Sequence, residues 1–368
     1  MAVPARPPFR ADHVGSLLRP AALRTARAQA RAGAIDAEAL RAVEDRCIRE
    51  VIAKQVSVGL EAITDGEFRR DWWHIDFYRG FDGVSVVDDP ATKAFSGGEA
   101  VPVLTVNGPV RRRASVVQPP FEFLRSATTG TGTAKLTIPS PSMLHLRGGR
   151  PAIDRTVYPD LDVFWDDVAT AYREEIAALA AAGCRYLQLD DVSFAYLCDE
   201  SIRAGYRARG DDPALAPRRY VDTINAALRD RPADLVVTIH TCRGNFKSTW
   251  MATGGYEPVA EAVFGALAVD GYFLEYDTGR AGGFEPLRQV PAGRKVVLGL
   301  VTTKNGGLET RESLIRRIEE AARHVPLENL CLSPQCGFSS THHGNALGED
   351  DQWRKLELIV ETARAVWG

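Results

Sequence analysis

The feature that most constrains this chain is a repeated alternation in its C-terminal two thirds. From residue 134 onward, short apolar runs rich in β-branched residues alternate with long amphipathic stretches. AKLTIPSPS precedes a helical pattern over 161–182, and RYLQLDD follows it. A helical pattern over 217–228 leads to DLVVTIHTC, and one over 256–268 leads to GYFLEYD. KVVLGLVTT, the helix ESLIRRIEEAARHV, NLCLSPQCG and a last helix in DQWRKLELIVETARAVWG complete the series. Strand, helix, strand in this order requires a right-handed crossover and parallel pairing, because a tight hairpin cannot join parallel strands. Counting VGS and DGE nearer the N-terminus gives eight strand ends. An α/β fold of the (β/α)8 TIM-barrel class is therefore expected, with an open doubly wound sheet as the weaker alternative.

A helix is expected over 21–60, where alanine, leucine, arginine and glutamate dominate. Residues 76–133 break the alternation and read as an irregular or β-rich excursion, a hairpin arm on a single catalytic domain spanning 1–368. With 368 residues, 45% of them apolar, the chain can bury a core of that size. Its 45 basic and 48 acidic residues give a formal charge of -3, so no broad field favours nucleic acid or an anionic membrane as partner. The segment Met1 to Pro20 carries arginines and an aspartate but no apolar core of a signal peptide. Six cysteines are too few for a disulfide scaffold of this length. A cytoplasmic, reducing environment is the expectation.

The strand ends carry the chemistry. In a barrel of this class they line one mouth, and here they hold Ser16, Asp65, Glu67, Asp190, Asp191, His240, Cys242, Glu275, Asp277 and Cys336. Any one of these could cap a helix or satisfy a loop; ten at one rim describe a site. The sharpest signal is His240-Thr241-Cys242, since residues two apart on a strand face the same side. A lone HxC is weak by itself, but this one ends an apolar strand. With Glu275 and Cys336 at other strand ends, the set becomes two thiolates, one imidazole and one carboxylate, which suits tetrahedral zinc. Cys184 and Cys331 lie at strand starts, Cys47 on a helix and Cys198 beyond a strand; all four read as packing.

VGS at 14–16, DGE at 65–67, LQLDD at 187–191, IHTC at 239–242, the glutamate of FLEYD and SPQCG at 333–337 occur in an order and at separations that carry a resemblance. The whole chain resembles the catalytic barrel of cobalamin-independent methionine synthases and their shorter single-barrel relatives. The resemblance implies a zinc ion held by His240, Cys242, Glu275 and Cys336, which activates homocysteine thiolate for methyl transfer from methyltetrahydrofolate. It further implies that the backbone at Gly15 and Ser16 meets the substrate carboxylate, and that Glu67 and Asp190 meet its ammonium. The bland alternative pairs those two acids with Arg69, Arg70 or another structural arginine.

The chain departs from the family where Asp-Glu-Pro-Ala becomes Asp190-Asp191-Val192-Ser193, and one barrel rather than the two of the full-length enzymes is the expectation for these 368 residues. The donor surroundings therefore stay open: a folate, a methylated corrinoid protein or another small methylated molecule. Trp72 and Trp73 are candidates to stack on a flat donor and equally to be ordinary rim residues. Asp191 joins the substrate wall or, with Asp277, His342 and His343, handles protons near the metal. A zinc-dependent alkyltransferase joining an epoxide to a thiol, a hydrolase, a decarboxylase and a non-catalytic zinc-binding protein are the competing functions. No HExxH accompanies the thiols to favour a hydrolase.

Overall fold

A computed structural model describes residues 6–87 and 102–368. Nine strands occur among them: β1 (Ala62–Ile63), β2 (Phe81–Val87), β3 (Val103–Arg112), β4 (Thr133–Pro139), β5 (Tyr186–Asp191), β6 (Val236–Thr241), β7 (Gly271–Glu275), β8 (Lys295–Val301) and β9 (Leu330–Pro334). Seven of them form a curled parallel sheet in the order β1-β4-β5-β6-β7-β8-β9. Every residue of β5, β7 and β9 is buried, as expected of strands covered on both faces by their crossover helices.

The eighth place in the ring belongs to the extended segment around residues 10–16. Ala11 bridges in parallel to Leu332 of β9, with Asp12 N donating to the Leu332 carbonyl at 3.0 Å and Leu332 N to the Arg10 carbonyl at 2.8 Å. On its other side, Thr64 Oγ1 donates to the Gly15 carbonyl at 2.7 Å and Leu17 N to the Gly66 carbonyl at 3.1 Å. The fold is thus of the TIM-barrel type, with VGS and DGE flanking the closure rather than ending long strands.

The helix expected over 21–60 is two helices, Ala21–Arg31 and Ala37–Val58. The physical reason is local. Gly33 adopts φ +71° just after the first helix, and the Asp36 carboxylate accepts from Ala39 N at 2.8 Å, an N-cap that starts the second. The predicted helix over 161–182 is observed as Leu161–Ala181, started by Asp160 accepting from Asp162 N.

Of the excursion expected over 76–133, residues 88–101 lie outside the described residues. The remainder includes β2 and β3, which pair antiparallel outside the main sheet, and the helix Gln118–Ala127. The ribbon is fastened to the barrel by Arg112 Nε on Glu175 Oε2 at 2.6 Å and by Val110 N donating to Tyr158 Oη at 2.6 Å.

Strand alternation sends every second residue to the barrel axis. Low in the barrel this places a fully buried ion pair, Lys135 Nζ on Asp12 Oδ1 at 3.0 Å. Tyr186 Oη donates to the other Asp12 oxygen at 2.7 Å, and the ammonium lies 4.1 Å from the Phe273 ring centroid and 4.8 Å from that of Tyr186. Burial lowers the Lys135 pKa against the pull of Asp12. One layer higher, Gln188 Nε2 donates to the Val14 carbonyl and to Asp190 Oδ1, both at 2.7 Å. A polar column therefore runs from the plugged floor to the mouth.

Breaking this pair by Lys135→Met leaves a buried carboxylate without its cation, and should destabilise the fold by about 3–5 kcal/mol. Urea unfolding followed by circular dichroism measures this; an unchanged midpoint would show that the plug does not support the barrel.

Candidate metal centre and its cleft

Two neighbouring strands, β6 and β7, and a third farther along the sheet, β9, deliver the predicted donors. His240 is the penultimate residue of β6, Cys242 follows that strand directly, Glu275 ends β7 and Cys336 lies two residues past β9. One ligand atom from each of the four lies within 4.8 Å of all the others, and all four residues are buried. The two Sγ atoms are 3.4 Å apart, close to the roughly 3.8 Å separating two sulfurs that sit about 2.3 Å from a tetrahedral ion. Neither ring nitrogen of His240 has a hydrogen-bond partner among the described residues. A buried imidazole so aimed, beside two thiols and a carboxylate, fits a metal donor set better than a packed core.

The backbone prepares this convergence. Gly299 of β8 lies opposite Glu275 in register, at an irregularity in the β8–β9 pairing. A Cβ there would meet the Gln335 Cα at 2.7 Å and the Leu274 carbonyl at 2.8 Å. Only glycine lets the chain before Cys336 come that near. Arg243 N donates to Glu275 Oε1 at 3.1 Å and Gly244 N to Cys242 Sγ at 3.3 Å, so the turn after β6 orients two donors at once.

Each charge at the centre acts on its neighbours. The hydrogen bond between the thiols holds Cys336 well below the usual thiol range and pushes Cys242 well above it. Burial raises Glu275, and the Cys336 charge adds to the effect. Burial opposes charging of His240, but neighbouring Cys336, Asp190 and Glu275 outweigh it and raise its pKa. Two cations answer this negative cluster. Arg280 Nη2 contacts Glu275 Oε2 at 3.3 Å and Asp277 Oδ1 at 2.7 Å. Lys304, buried, donates to the Gly244 and Thr249 carbonyls at 3.3 Å and to Asn245 Oδ1 at 3.2 Å, and it favours ionisation of both cysteines.

A cleft of about 610 Å3 opens onto the donors. Of the predicted substrate residues, Ser16, Glu67, Trp72, Trp73, Asp190 and Asp191 line it. Glu67 sits at φ +60°, a left-handed conformation that costs a non-glycine residue free energy. It is held there by Asp65 Oδ1, which accepts from Glu67 N at 2.9 Å, and by Arg19 Nη2, which donates to its carbonyl at 2.8 Å. Its Oε1 accepts from Thr137 Oγ1 at 2.9 Å and lies 3.7 Å from Arg70, while Oε2 has no partner among the described residues. Burial raises the Asp190 pKa to about 7, with His240 pulling it down and Glu67 adding to the rise. Asp191 is also a backbone anchor: its carboxylate accepts from Ser193 Oγ and Phe194 N, and its carbonyl from Cys242 N at 2.7 Å.

Gly15 lies beneath the lining at φ +136°, where an added Cβ would meet Thr137 Cγ2 at 2.8 Å, so no side chain fits. Asp277 is buried against Arg280 rather than on the cleft wall. His342 and His343 pack on each other, ring centroids 3.9 Å apart, and behind Trp72 at 6.2 and 5.9 Å. His343 Nδ1 lies 3.0 Å from Thr341 Oγ1. Trp72 also stacks with Phe246 at 6.2 Å and 6°. Sequence reasoning passed over His74, Arg147 and Asn245, which line the cleft from turns and loops, Tyr196, which lines it from a one-turn helix, and Lys304. Only Lys304 carried a readable signal, a lone cation just past the apolar β8.

Among the described residues no helix is long and apolar enough to cross a membrane. The sequence profile of the cobalamin-independent synthase catalytic domain matches residues 9–364. The uncharacterised protein YxjH of Bacillus subtilis is 47% identical over 98% of this chain and 95% of its own. A methionine synthase of Saccharolobus solfataricus is 23% identical over 96% of this chain and 93% of its own. A crystal structure from Listeria monocytogenes, whose name proposes a vitamin-B12-independent methionine synthase, superposes with a TM-score of 0.80 at 39% identity, covering 98% of both chains. With the family profile spanning nearly its whole length, the chain belongs to the cobalamin-independent methionine synthase catalytic-domain family.

Proposed function

We propose that this protein is a zinc-dependent methyltransferase that methylates a small thiol, with homocysteine as acceptor and methionine as product. The observation that carries the reading is the convergence of His240, Cys242, Glu275 and Cys336, the first two and the last of which line an open cleft. Bound there, zinc would lower the pKa of a substrate thiol and keep its sulfur nucleophilic at neutral pH.

The chain's own residues do the rest. Glu67 and Asp190, adjacent in the cleft, are suited to hold an ammonium by charge-assisted hydrogen bonds, and Ser16 with its backbone to hold the carboxylate. Arg280 anchors Glu275, and Lys304 fixes the loop that carries Asn245 and Phe246 over the donors. Holding sulfur and methyl carbon in line supplies much of the rate. A C–S bond forms, the donor's bond to its methyl carbon breaks, and the electron pair leaves with the donor, which takes up the proton released by the thiol. Trp72 and Trp73 offer flat apolar walls to a donor such as methyltetrahydrofolate or a methylated corrinoid. Asp277 acts through Arg280, and His342 with His343 backs Trp72, so these three position other groups. The six buried, unpaired cysteines suit a reducing cytoplasm.

Purified protein should carry about one zinc per chain, and Cys242→Ala or Cys336→Ala should lose most of it while staying folded. Elemental analysis with circular dichroism checks both points; full zinc retention in both variants sinks the site.

Glu67→Gln and Asp190→Asn should raise KM for homocysteine by about tenfold or more, with little effect on an amine-free thiol and none on zinc content. Equal losses with both thiols would assign the acids a structural role instead. Mass spectrometry of the thiol product in these assays identifies the group transferred, and epoxide opening without methyl transfer would replace the proposed reaction.

A further inference from the structure

Arg243 directly follows the metal donor Cys242 and is 0% exposed. All three of its guanidinium nitrogens are buried without a hydrogen-bond partner, which holds for no other arginine among the described residues. It forms no ion pair with a described residue either. It does not line the cleft, so no substrate atom completes it. The guanidinium lies instead over the Tyr256 ring, 4.5 Å from its centroid. A ring face recovers only part of what removing a cation from water costs. Groups that break this rule persist at sites where their effect is used.

The backbone of the same residue is built into the metal centre. Arg243 N donates to Glu275 Oε1 at 3.1 Å. Its carbonyl accepts from Met251 N at 2.9 Å and Ala252 N at 3.1 Å, which closes the loop after β6. Tyr256 links the cation to the donor strands: its Oη accepts from Glu275 N and from Thr241 Oγ1, both at 3.1 Å, while its face carries the guanidinium. The charge is thus held one phenol ring from the ends of β6 and β7, which bear His240 and Glu275. Two other cations approach the donors, and both have acceptors of their own. Arg280 is shared between Glu275 and Asp277. Lys304 is taken up by two carbonyls and the Asn245 amide oxygen. Of the three, Arg243 alone has none.

We propose that Arg243 is a positioning residue of the metal centre whose unpaired charge lets the four donors accept a further, anionic sulfur. The inference rests on the reading of those donors as a zinc site that takes a thiol. A divalent ion held by two thiolates and a carboxylate is already net negative, and a substrate thiolate makes it more so. In a buried site every added negative charge is opposed by those present, and a fixed cation with no partner of its own offsets that opposition. The selectivity that follows is for ligand charge. A thiolate gains from Arg243, whereas a neutral thioether gains nothing. Arg243 therefore favours retention of the thiol substrate and release of its methylated product.

Binding measurements test this without turnover. Cobalt(II)-loaded protein reports the arrival of a thiolate at the metal by its charge-transfer absorption, and calorimetry of zinc-loaded protein gives the affinities. The two probes are homocysteine and methionine, which share the amino-acid head and differ in presenting a thiol or a neutral thioether. Arg243→Met should weaken homocysteine by about tenfold or more and leave methionine unchanged. Arg243→Gln, which keeps hydrogen-bonding capacity without charge, should match Arg243→Met, and Arg243→Lys should restore most of the loss. Zinc content should not change. The melting temperature of zinc-free Arg243→Met should equal or exceed that of the parent, because an unpaired buried charge is removed; a structural arginine would give the opposite. Equal affinity for homocysteine in parent and Arg243→Met, equal weakening of both probes, or rescue by Gln as complete as by Lys would each overturn the role of Arg243 alone. If neither neutral variant folds, Arg243 serves stability and the role is overturned as well. A parent protein in which homocysteine brings no new charge-transfer absorption would instead overturn thiol binding at the metal, and with it the proposed function.

Discussion

Parallel register is the constraint on which the molecule depends. Each barrel strand is locked to its neighbour by slanted hydrogen bonds, and side chains facing the axis fall into layers. Asp190 of β5 is opposite His240 of β6, and Glu275 of β7 is opposite Gly299 of β8. A slip of one residue in any of these ladders would turn an imidazole or a carboxylate into the helix layer. The donors converge because the apolar residues between them, such as Ile239, Leu274 and Leu298, must pack outward against the helices. Burial of the hydrophobic face thereby fixes the position of the polar one.

Those polar groups are costly where they are. A carboxylate with no exposed surface, two thiols within contact and an imidazole without a partner would not persist as a packed core. The structure offsets part of this with Arg280 and Lys304, which bring positive charge to the cluster. The rest is left for whatever the four donors hold. Lower in the barrel the opposite holds: Asp12, Lys135 and Tyr186 satisfy one another, and that layer is complete without a ligand. A finished floor and an unfinished mouth separate stability from chemistry along a single axis.

Legibility in the sequence followed the same division. From residue 134 on, strands buried on both faces are continuous apolar runs and their helices are amphipathic, so the alternation could be read directly. Histidine and cysteine two apart at a strand end share a face by alternation alone. Near the N-terminus the ring closes through a two-residue β1 and a single bridge at Ala11, too short for a periodic signal. Composition alone merged two helices that Gly33 and the Asp36 cap separate. His74, Arg147 and Tyr196 reach the cleft from loops and one-turn helices, where no periodicity ties position to direction. What sets His74 apart is two unmet ring nitrogens in a buried place, which exist only in three dimensions.

The central claim is that these four donors hold a metal with room for a substrate sulfur. X-ray absorption at the zinc edge, recorded with and without homocysteine, tests it most directly. The account predicts two sulfur neighbours from Cys242 and Cys336 in the free protein and a third on adding homocysteine, at about 2.3 Å. A zinc shell that already contains four protein ligands and does not change with homocysteine at saturating concentration would contradict it, and would leave the site a structural one.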